Sequence, residues 1–395
     1  MKTFSIRFAV AALLVAPAVA VAQGTLSTQG FGYAGGQHST RSLATGGALG
    51  EVDPYSAINP SSIIALGGST LYFQLEPEYR TLTSGTDQQR ATIARYPLVS
   101  ASIPIGLRWM AGIGVSNMLD RTFKTATRGV QTVGGNLVGS TNTFASDGAI
   151  GDVRLALAWA PSSWLRVGVA GHAITGDNRL RSSQVFDDSL RYAALIDSTT
   201  ITYVGSAYSA GVQLQAPGGF NLAGSYRRGG PLSAKRADTT ISTGHVPDRL
   251  SFSLAYIGIR GTTIGVRTAK DKWSNMSTLL SSNSSLSAQA SDAWDTSVGA
   301  DVLGPSLFGN FLQFRAGARD RLLPFGVPAE LTGNDVVVHL PGDVKERSYT
   351  FGVGTLLARG RATLDVTGAH AARTSTVTPV TESAWTLSVG IMVRP

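Results

Sequence analysis

The chain has 395 residues, with 46 glycines, 16 prolines and no cysteine, and its formal net charge is +8. Hydrophobic residues make up 43% of it and charged residues only 15%, below the ~25% of ordinary soluble domains. This balance excludes a disordered chain, and the absence of cysteine excludes a disulfide scaffold and a cysteine-ligated metal site. Because no apolar stretch beyond the N-terminus reaches the ~20 residues of a spanning helix, we expect either a large soluble β protein or an outer-membrane barrel.

Residues 1–22 have the features of a secretory signal peptide. Lys2 and Arg7 form a charged start, a short apolar run follows, and residues 20–22 (Ala-Val-Ala) give a small-residue cleavage pattern. The apolar run is too short for a membrane anchor. We therefore predict export, with 1–22 removed from the mature chain.

Residues 23–66 are rich in Gly, Ser, Thr and Ala and show no strand periodicity. A segment so poor in large apolar side chains cannot build a core of its own, but a surrounding wall would stabilise it. We predict a hatch that plugs a barrel lumen, with a mobile periplasmic tail as the alternative. Residues 30–35 match the pattern G-x-G-x-x-G, but the strand and helix of a dinucleotide site are missing, so no cofactor is predicted.

From residue 69 onward, apolar residues recur with a period of two. In one example Leu250, Phe252 and Leu254 alternate with Ser251 and Ser253. Successive side chains of a strand point to opposite faces, so each such segment has one apolar face and one polar or small face. Fourteen segments follow the pattern: 69–83, 95–104, 107–120, 149–160, 163–175, 200–215, 218–228, 247–258, 261–273, 292–303, 309–320, 346–358, 360–372 and 382–394.

The connections between these segments alternate in length. Short turns such as 161–163 and 258–261 alternate with long polar connections such as 121–148, 176–199 and 321–345. Transmembrane barrels have short periplasmic turns and longer external loops, and about 9–11 residues per strand cross the bilayer. We therefore predict an all-β fold, a transmembrane antiparallel β-barrel of about 14 strands over 67–395, rather than a soluble sandwich of short strands.

Charged residues on the polar strand faces predict what lines the lumen. An arginine facing lipid would cost about 2–4 kcal/mol at the membrane midplane, so these residues are expected to face inward. They would either form a selectivity or head-group site or pair with one another to hold the wall to the hatch. The candidates are Arg154, Arg315, Arg319, Arg347, Arg361, Asp295, Asp301 and Asp365.

Other side chains argue against catalysis and metal binding. The five histidines have no metal-ligand spacing, and His172 with a nearby acid such as Asp177 is better explained as a solvated loop residue than as a catalytic pair. We therefore predict no enzyme activity and no metal site. The absence of a basic run argues against nucleic-acid binding. Tryptophans near the strand ends predict an aromatic girdle at the membrane surfaces.

Apolar residues in the long connections form a further candidate set. In an external loop they could collect an apolar ligand from outside the cell. The candidates are Leu279, Leu280, Leu322, Leu323 and Phe325.

The chain resembles the FadL-type outer-membrane transporters of long-chain fatty acids and other hydrophobic compounds. A glycine-rich N-terminus is followed by Asn59, Pro60 and Ser61, which are similar to the family's N-P-A turn before the first strand. Segments 246–250 and 382–390 are also similar, so the resemblance covers nearly the whole mature chain. Ser61 stands where the family has alanine, and the chain ends in Val-Arg-Pro without the terminal aromatic residue common in outer-membrane assembly signals.

The resemblance implies a barrel in the outer membrane of a Gram-negative-type bacterium, with an N-terminal hatch in the lumen. It implies passive transport of a hydrophobic small molecule such as a long-chain fatty acid, released by hatch movement or through a lateral gap in the wall. The implied partners are that ligand, outer-membrane lipids and the barrel assembly machinery, with a monomer favoured and no cofactor. The alternatives are a secretion-associated or structural barrel without small-molecule flux and, third, a general porin.

Overall fold

The computed structural model describes residue 26 and residues 31–85, 87–133, 136–281, 290–307, 309–326, 328–330, 337–339, 344–375 and 379–395. Its main feature is one antiparallel sheet of fourteen consecutive strands. They are β1 (Thr70–Ser84), β2 (Asp87–Arg95 and Leu98–Pro104), β3 (Trp109–Asp120, continued by Phe123–Val133), β4 (Asn136–Trp159), β5 (Leu165–Phe186), β6 (Leu195–Ala216), β7 (Phe220–Arg236), β8 (Thr239–His245 and Asp248–Ile259), β9 (Thr262–Lys272), β10 (Ala293–Leu307), β11 (Asn310–Leu322), β12 (Val344–Leu357), β13 (Ala362–Ser375) and β14 (Thr381–Val393).

The sheet closes on itself. Each strand pairs antiparallel with its neighbour in the chain, and β1 also pairs with β14, from Leu71 opposite Val393 to Thr83 opposite Thr381. Closure satisfies backbone amides that an open edge would leave unpaired in hydrocarbon. The prediction of a fourteen-stranded antiparallel β-barrel is confirmed. We call the end with the long hairpins the outer end and the end with the short turns the inner end.

Side chains alternate between the two faces of the wall as the sequence predicts. On β8, Leu250 and Phe252 are 44% and 56% exposed on the outer face, whereas Ser251 is completely buried inside. The same holds on β14, where Trp385 and Leu387 point outward. An apolar outside around a polar inside is the reverse of a soluble protein, so the outer face requires lipid. The barrel is of the outer-membrane type.

Several strands are longer than the apolar alternation predicts. β4 has 24 residues and β5 and β6 have 22 each, although about 9–11 would cross a bilayer. Residues 121–148 and 176–199, expected as loops, are largely hairpins that extend the sheet past the membrane at the outer end. Their sequences are rich in Thr, Ser and Gly and carry no apolar period, so the alternation predicts only the shorter, inner part of each strand.

Short helices occur inside the barrel and at its outer end. Helix α1 (Thr40–Ala44) has Ser39 as its N-cap, whose Oγ accepts from the Ser42 amide at 3.1 Å. A 3₁₀ helix spans Pro60–Leu66, and a second helix, α2 (Ser277–Ser281), follows β9. No helix in the described part of the chain is long and apolar enough to cross a membrane.

Residues 31–66 lie inside the barrel, and we call them the lumenal segment. Preceding them, Leu26 packs against Leu323 and Val344 near the outer end. At the other extreme, the carbonyl of Leu66 accepts a hydrogen bond from Arg394 at the inner end. The segment therefore runs through the length of the lumen. Residues 1–25 and 27–30, which hold the predicted signal peptide, are outside the described residues.

Wall hydroxyls hold the backbone of the lumenal segment. Thr350 on β12 donates to the carbonyl of Ala44 at 3.0 Å, and Thr367 on β13 donates to that of Thr40 at 2.9 Å. Both carbonyls are buried, so losing a donor would cost the desolvation penalty of an unpaired acceptor, about 1–3 kcal/mol. The threonines of the inner face thus hold the lumenal segment in a fixed position.

Glycines on the wall allow the segment to approach the strands closely. A β-carbon added at Gly168 would lie 2.5 Å from the Ser61 nitrogen, and one added at Gly265 would lie 2.5 Å from the Leu49 side chain. Real β-carbons do not come that close to other atoms. Close packing of the lumenal segment against the wall therefore explains part of the chain's high glycine content.

Replacing Gly168 by alanine is expected to lower the free energy of unfolding by about 1–3 kcal/mol, because Ser61 must move away from the new methyl group. Gly171 on the same strand is the matched control, since an added β-carbon there meets nothing within 4 Å. Urea unfolding of both variants in detergent micelles measures the difference. Equal stability of Gly168→Ala and Gly171→Ala would show that the segment does not press on the wall.

Candidate functional site

An apolar cluster fills the outer part of the lumen, and we call it the outer cluster. Its aromatic members interlock: Phe31 of the lumenal segment lies edge-on to Tyr203 with ring centroids 5.8 Å apart, and Trp273 lies edge-on to Phe325 at 5.7 Å. Met276 and other buried apolar side chains complete it. An apolar cluster inside the barrel is a place where a hydrophobic molecule can leave water.

A cavity of about 100 Å³, the outer cavity, lies beneath this cluster. Met118 and Trp273 form its apolar side, and residues 33–38 of the lumenal segment form part of its wall. The lining also includes four arginines and three carboxylates: Arg227, Arg249, Arg319, Arg321, Glu76, Asp271 and Asp295. A cavity lined by apolar side chains and by arginines suits a hydrophobic molecule with an acidic or polar head.

Two of these arginines have unused hydrogen-bonding capacity. The Nε atoms of Arg227 and Arg249 are buried without a hydrogen-bond partner in the described structure, although the Arg249 Nε lies 3.3 Å from Asp271 in an ion pair. Arg227 lies 3.8 Å from Asp152, which is a loose ion pair, whereas Arg319 binds Asp295 tightly at 2.6 Å. Arg249 is held by Gln37 at 2.6 Å as well as by Asp271, so Arg227 is the arginine of this cavity best able to bind a ligand's anionic head.

Beside the outer cavity, Tyr33 stands at the centre of a buried ionic cluster, the Tyr33 cluster. Four guanidinium groups lie within 5.4 Å of its ring centroid, those of Arg80, Arg95, Arg321 and Arg373. Its hydroxyl donates to Glu346 at 2.9 Å and accepts from Arg373 at 3.0 Å. The carboxylates paired with these arginines are Glu76, Glu78, Asp120, Glu346 and Glu382.

The barrel wall is interrupted next to Tyr33. Leu98–Pro104 of β2 pairs with β3, but the outer segment Asp87–Arg95 has no ladder to β3 among the described strands. In its place, Tyr33 and Ala34 pair with Asp120 and Leu119 of β3. The Arg95–Asp120 ion pair, 2.7 Å long, bridges the interruption. We call this interruption the wall break; the lumenal segment covers it from inside.

Local strand geometry explains the wall break. The β3–β4 register shifts between Asn117 and Leu119, and Met118 and Leu119 are both buried although they are neighbours in the chain. A bulge of this kind bends the strand and turns its edge inward. Gly36 lets the lumenal segment approach here, since a β-carbon at this residue would lie 2.5 Å from the Asn117 carbonyl oxygen.

The turn resembling the family's N-P-A sequence lies deep in the lumen. Asn59 caps the 3₁₀ helix, with its Oδ1 accepting from the Ser61 amide at 3.0 Å and from the Ser61 hydroxyl at 2.7 Å. Pro60 follows at the first helical position, where its missing N–H costs nothing. The serine that departs from the family pattern therefore adds a hydrogen bond that alanine cannot make.

Six of the eight candidate lumenal charges face inward. Arg315 bridges Asp301 at 2.9 Å and Asp365 at 2.5 Å, and Arg319 binds Asp295. Arg154 is also buried, beside Asp152, with one guanidinium nitrogen that has no hydrogen-bond partner. Most of these residues pair with one another across adjacent strands, which matches the internal-pairing alternative better than a free lining.

The other two candidates are corrected by the structure. Arg347 lies on the outer face of β12, where it forms an exposed pair with Asp320 at 2.8 Å. It shares its face with Tyr349 and Phe351, both outward, while Glu346 takes the inward position. Arg361 is exposed in the turn between β12 and β13 and not on a strand face. Neither residue lines the lumen.

The described candidate ligand-capture residues are not exposed loop groups. Leu279, Leu323 and Phe325 are 5%, 3% and 3% exposed. Leu279 and Phe325 belong to the outer cluster, which shields them from water. Leu322 is half-buried at the edge of the outer cavity, and the side chain of Leu280 is outside the described ones. Trp273, expected in the aromatic girdle, is likewise buried in the outer cluster, whereas Trp294 and Trp385 are exposed on the outer face.

Three polar side chains of the wall are arranged like a catalytic triad. His172, expected as a solvated loop residue, is buried on β5, with Nδ1 2.8 Å from Asp152 and Nε2 2.8 Å from the Ser209 hydroxyl. The free space beside Ser209 is about 10 Å³, hardly one water molecule, and Ala57 and Ile58 close it. An ester carbonyl has no room to reach Ser209, so the group acts as a hydrogen-bonded brace of three strands.

Comparisons with known proteins add fold-level information. No protein-family model and no curated protein matches the chain. Among solved structures, a Pseudomonas aeruginosa FadL homologue is similar over 92% of this chain and 99% of its own, with a TM-score of 0.61 and 10% identity. The CymD monoaromatic hydrocarbon channel is similar over 91% and 97%, with a TM-score of 0.55 and 13% identity.

A third similar structure is the P. putida toluene transporter TodX, with a TM-score of 0.55 and 12% identity over 91% of this chain and 99% of its own. All three relatives are similar along almost their whole length, so the described architecture includes no large extra domain beside theirs. At these identities the similarity establishes the fold. The chain has the fold of FadL-type outer-membrane transporters.

Proposed function

We propose that this chain is a passive outer-membrane transporter of hydrophobic small molecules. The observation that carries the proposal is the outer cavity, with the apolar outer cluster above it and the wall break beside it, both covered by the same lumenal segment. A molecule that enters the outer cluster leaves water before it meets the lumenal segment. The proposed transport makes and breaks no covalent bond, and it needs no metal and no cofactor.

The size of the outer cavity restricts the ligand. Its volume of about 100 Å³ is smaller than the ~150 Å³ in which an apolar cavity holds benzene. A single aromatic ring therefore requires only a small displacement of Trp273 or Phe325, whereas a long-chain fatty acid requires the outer cluster to rearrange. The similar structures include a toluene transporter and a monoaromatic hydrocarbon channel. We include both monoaromatic compounds and long-chain fatty acids in the proposed class.

In the proposed mechanism, residues 23–66 act as a hatch. The lumenal segment closes the direct path, and its displacement opens either the lumen toward the inner end or the wall break toward the membrane. Outer-membrane lipids and the barrel assembly machinery are the proposed partners besides the ligand, and the proposed unit is a monomer. A general porin is disfavoured, because a porin needs an open lumen.

Flux into liposomes tests the proposal. Because apolar solutes also diffuse through lipid, entry is counted only above the rate of protein-free vesicles. On that measure the refolded protein should speed the entry of toluene or a long-chain fatty acid, detected by an enclosed enzyme, and should leave glucose entry unchanged. Entry of glucose would make the protein a porin. Entry of none of these compounds would favour the secretion-associated or structural barrel and overturn the proposal.

A further inference from the structure

A second and larger cavity lies at the opposite end of the lumen, and we call it the inner cavity. Its volume is about 520 Å³, within the ~300–1,000 Å³ typical of small-molecule sites. It lies between residues 49–55 of the lumenal segment and the inner ends of β8, β9 and β12 to β14. None of the residues assigned to the outer cavity contributes to it.

Apolar side chains are exposed inside the inner cavity. Ile257 on β8 and Leu356 on β12 line the cavity, and they are 47% and 48% exposed. Exposed apolar residues of a barrel normally face lipid, and lumen-facing positions are polar. Apolar surface of this kind, inside a cavity, is favourable only when something apolar covers it.

The exposed charge in the inner cavity is positive. The Arg41 side chain is 36% exposed and has one direct ion pair, to Asp301 at 3.2 Å. Two acids lie near it: Asp365 binds Arg315 at 2.5 Å, and Asp53 accepts hydrogen bonds from the Ser39 and Ser56 hydroxyls through Oδ2, while its Oδ1 is buried without a hydrogen-bond partner in the described structure. The carboxylates that line this cavity, Asp53 and Asp365, are buried, so the charged group of the lumenal segment that a ligand meets is the Arg41 guanidinium.

From this arrangement we infer that the inner cavity is a second binding site, for an amphipathic carboxylate. The carboxylate would bind Arg41, and the alkyl or aryl part would cover Ile257 and Leu356. The inference deepens the proposed transport: a molecule that has passed the lumenal segment would pause at the inner end before release. Such a site favours passage along the lumen over exit through the wall break.

Photocrosslinking tests the inner site. The probes are a medium-chain fatty acid and the alcohol of the same chain, each with a diazirine on the chain, applied to the refolded full-length protein. The fatty acid is expected to label peptides that contain Ile257 or Leu356. Arg41→Gln should reduce this labelling about tenfold, because a charge-assisted hydrogen bond is lost, and should leave labelling by the alcohol unchanged. Arg361→Gln, an exposed turn residue outside the cavity, is the matched control.

A second variant keeps the test decisive if Arg41→Gln misfolds. Ile257→Ser should weaken labelling by the acid and the alcohol equally, since both lose the same apolar contact. Labelling confined to the outer cluster, or loss of acid labelling that Arg361→Gln reproduces, would overturn the inference. Labelling of the inner cavity in a protein that transports nothing would leave the site standing and remove the proposed function.

Discussion

Replacing Arg373 by methionine is expected to lower the free energy of unfolding by about 3–5 kcal/mol. Arg373 is almost completely buried and binds Glu346 at 2.6 Å, Glu78 at 3.1 Å and also Glu382. Its removal leaves these carboxylates with less positive charge in an interior where water cannot replace it. Tyr33 would lose one of the two guanidinium donors to its hydroxyl, Arg321 being the other, so the lumenal segment should loosen as well.

Arg347→Met is the matched control for this prediction. It removes an arginine from the same pair of neighbouring strands, but its ion pair with Asp320 is exposed on both sides. Exposed pairs contribute about 0–1 kcal/mol. Urea unfolding in micelles, with protease sensitivity of residues 31–66 as a second readout, separates the two variants. Similar losses in both would mean that the Tyr33 cluster is no more important than a surface pair.

Acid is expected to loosen the lumenal segment through His38. Burial, with Arg267 and Arg319 close by and Arg249 beyond, holds the pKa of His38 well below its usual range, although Asp295 acts in the opposite direction. The displaced segment would have an ordinary pKa near 6.5, so it takes up a proton first as the pH falls. The lumenal segment in its place inside the barrel therefore has its full stability above about pH 6.5. Below that pH its stability falls by ~1.4 kcal/mol per pH unit.

Protease sensitivity of the segment between pH 7.5 and pH 5 measures this effect. The wild type should become more sensitive toward acid, and His38→Gln should remove that component of the change. Asp53 works in the other direction, because burial raises its pKa and its protonation favours the seated state. His370→Gln is the control, since His370 lies on β13 and bonds to Ser383 on the neighbouring strand. A pH profile that His38→Gln does not alter would contradict the account.

The sequence predicts the wall well because one physical rule governs it. Lipid on one side and a polar lumen on the other impose a period of two, which is visible in Leu250, Phe252 and Leu254. The same rule places Arg315 and Asp301 inside. The same rule also places Arg347 on the outer face, because Arg347 and Phe351 lie an even number of positions apart. Near this strand end the residues on both sides are polar, so the alternation is hard to recognise in the sequence.

The sequence predicts the candidate site less well, because the residues that form it come together only when the barrel closes. Tyr33 and Glu346 are 313 residues apart, and no local pattern links them. The alternation of Glu78 and Arg80 with Tyr79 on β1 does indicate inward charges, but not that they surround a tyrosine from the lumenal segment. The apolar groups after β9 and β11 look like exposed loop residues in sequence, since their burial depends on chain folding over the barrel mouth.

A reversible covalent lock tests the central claim, that a hydrophobic molecule passes only when the lumenal segment moves. The Thr40 and Ser388 hydroxyl oxygens lie 2.8 Å apart, so cysteines at these positions join α1 to β14 within disulfide reach. The chain has no native cysteine to compete. The toluene flux above that of protein-free vesicles should fall at least to about a tenth when Thr40→Cys/Ser388→Cys is oxidised and return on reduction, while each single variant stays at the wild-type rate. Unchanged flux through the oxidised protein would contradict the account.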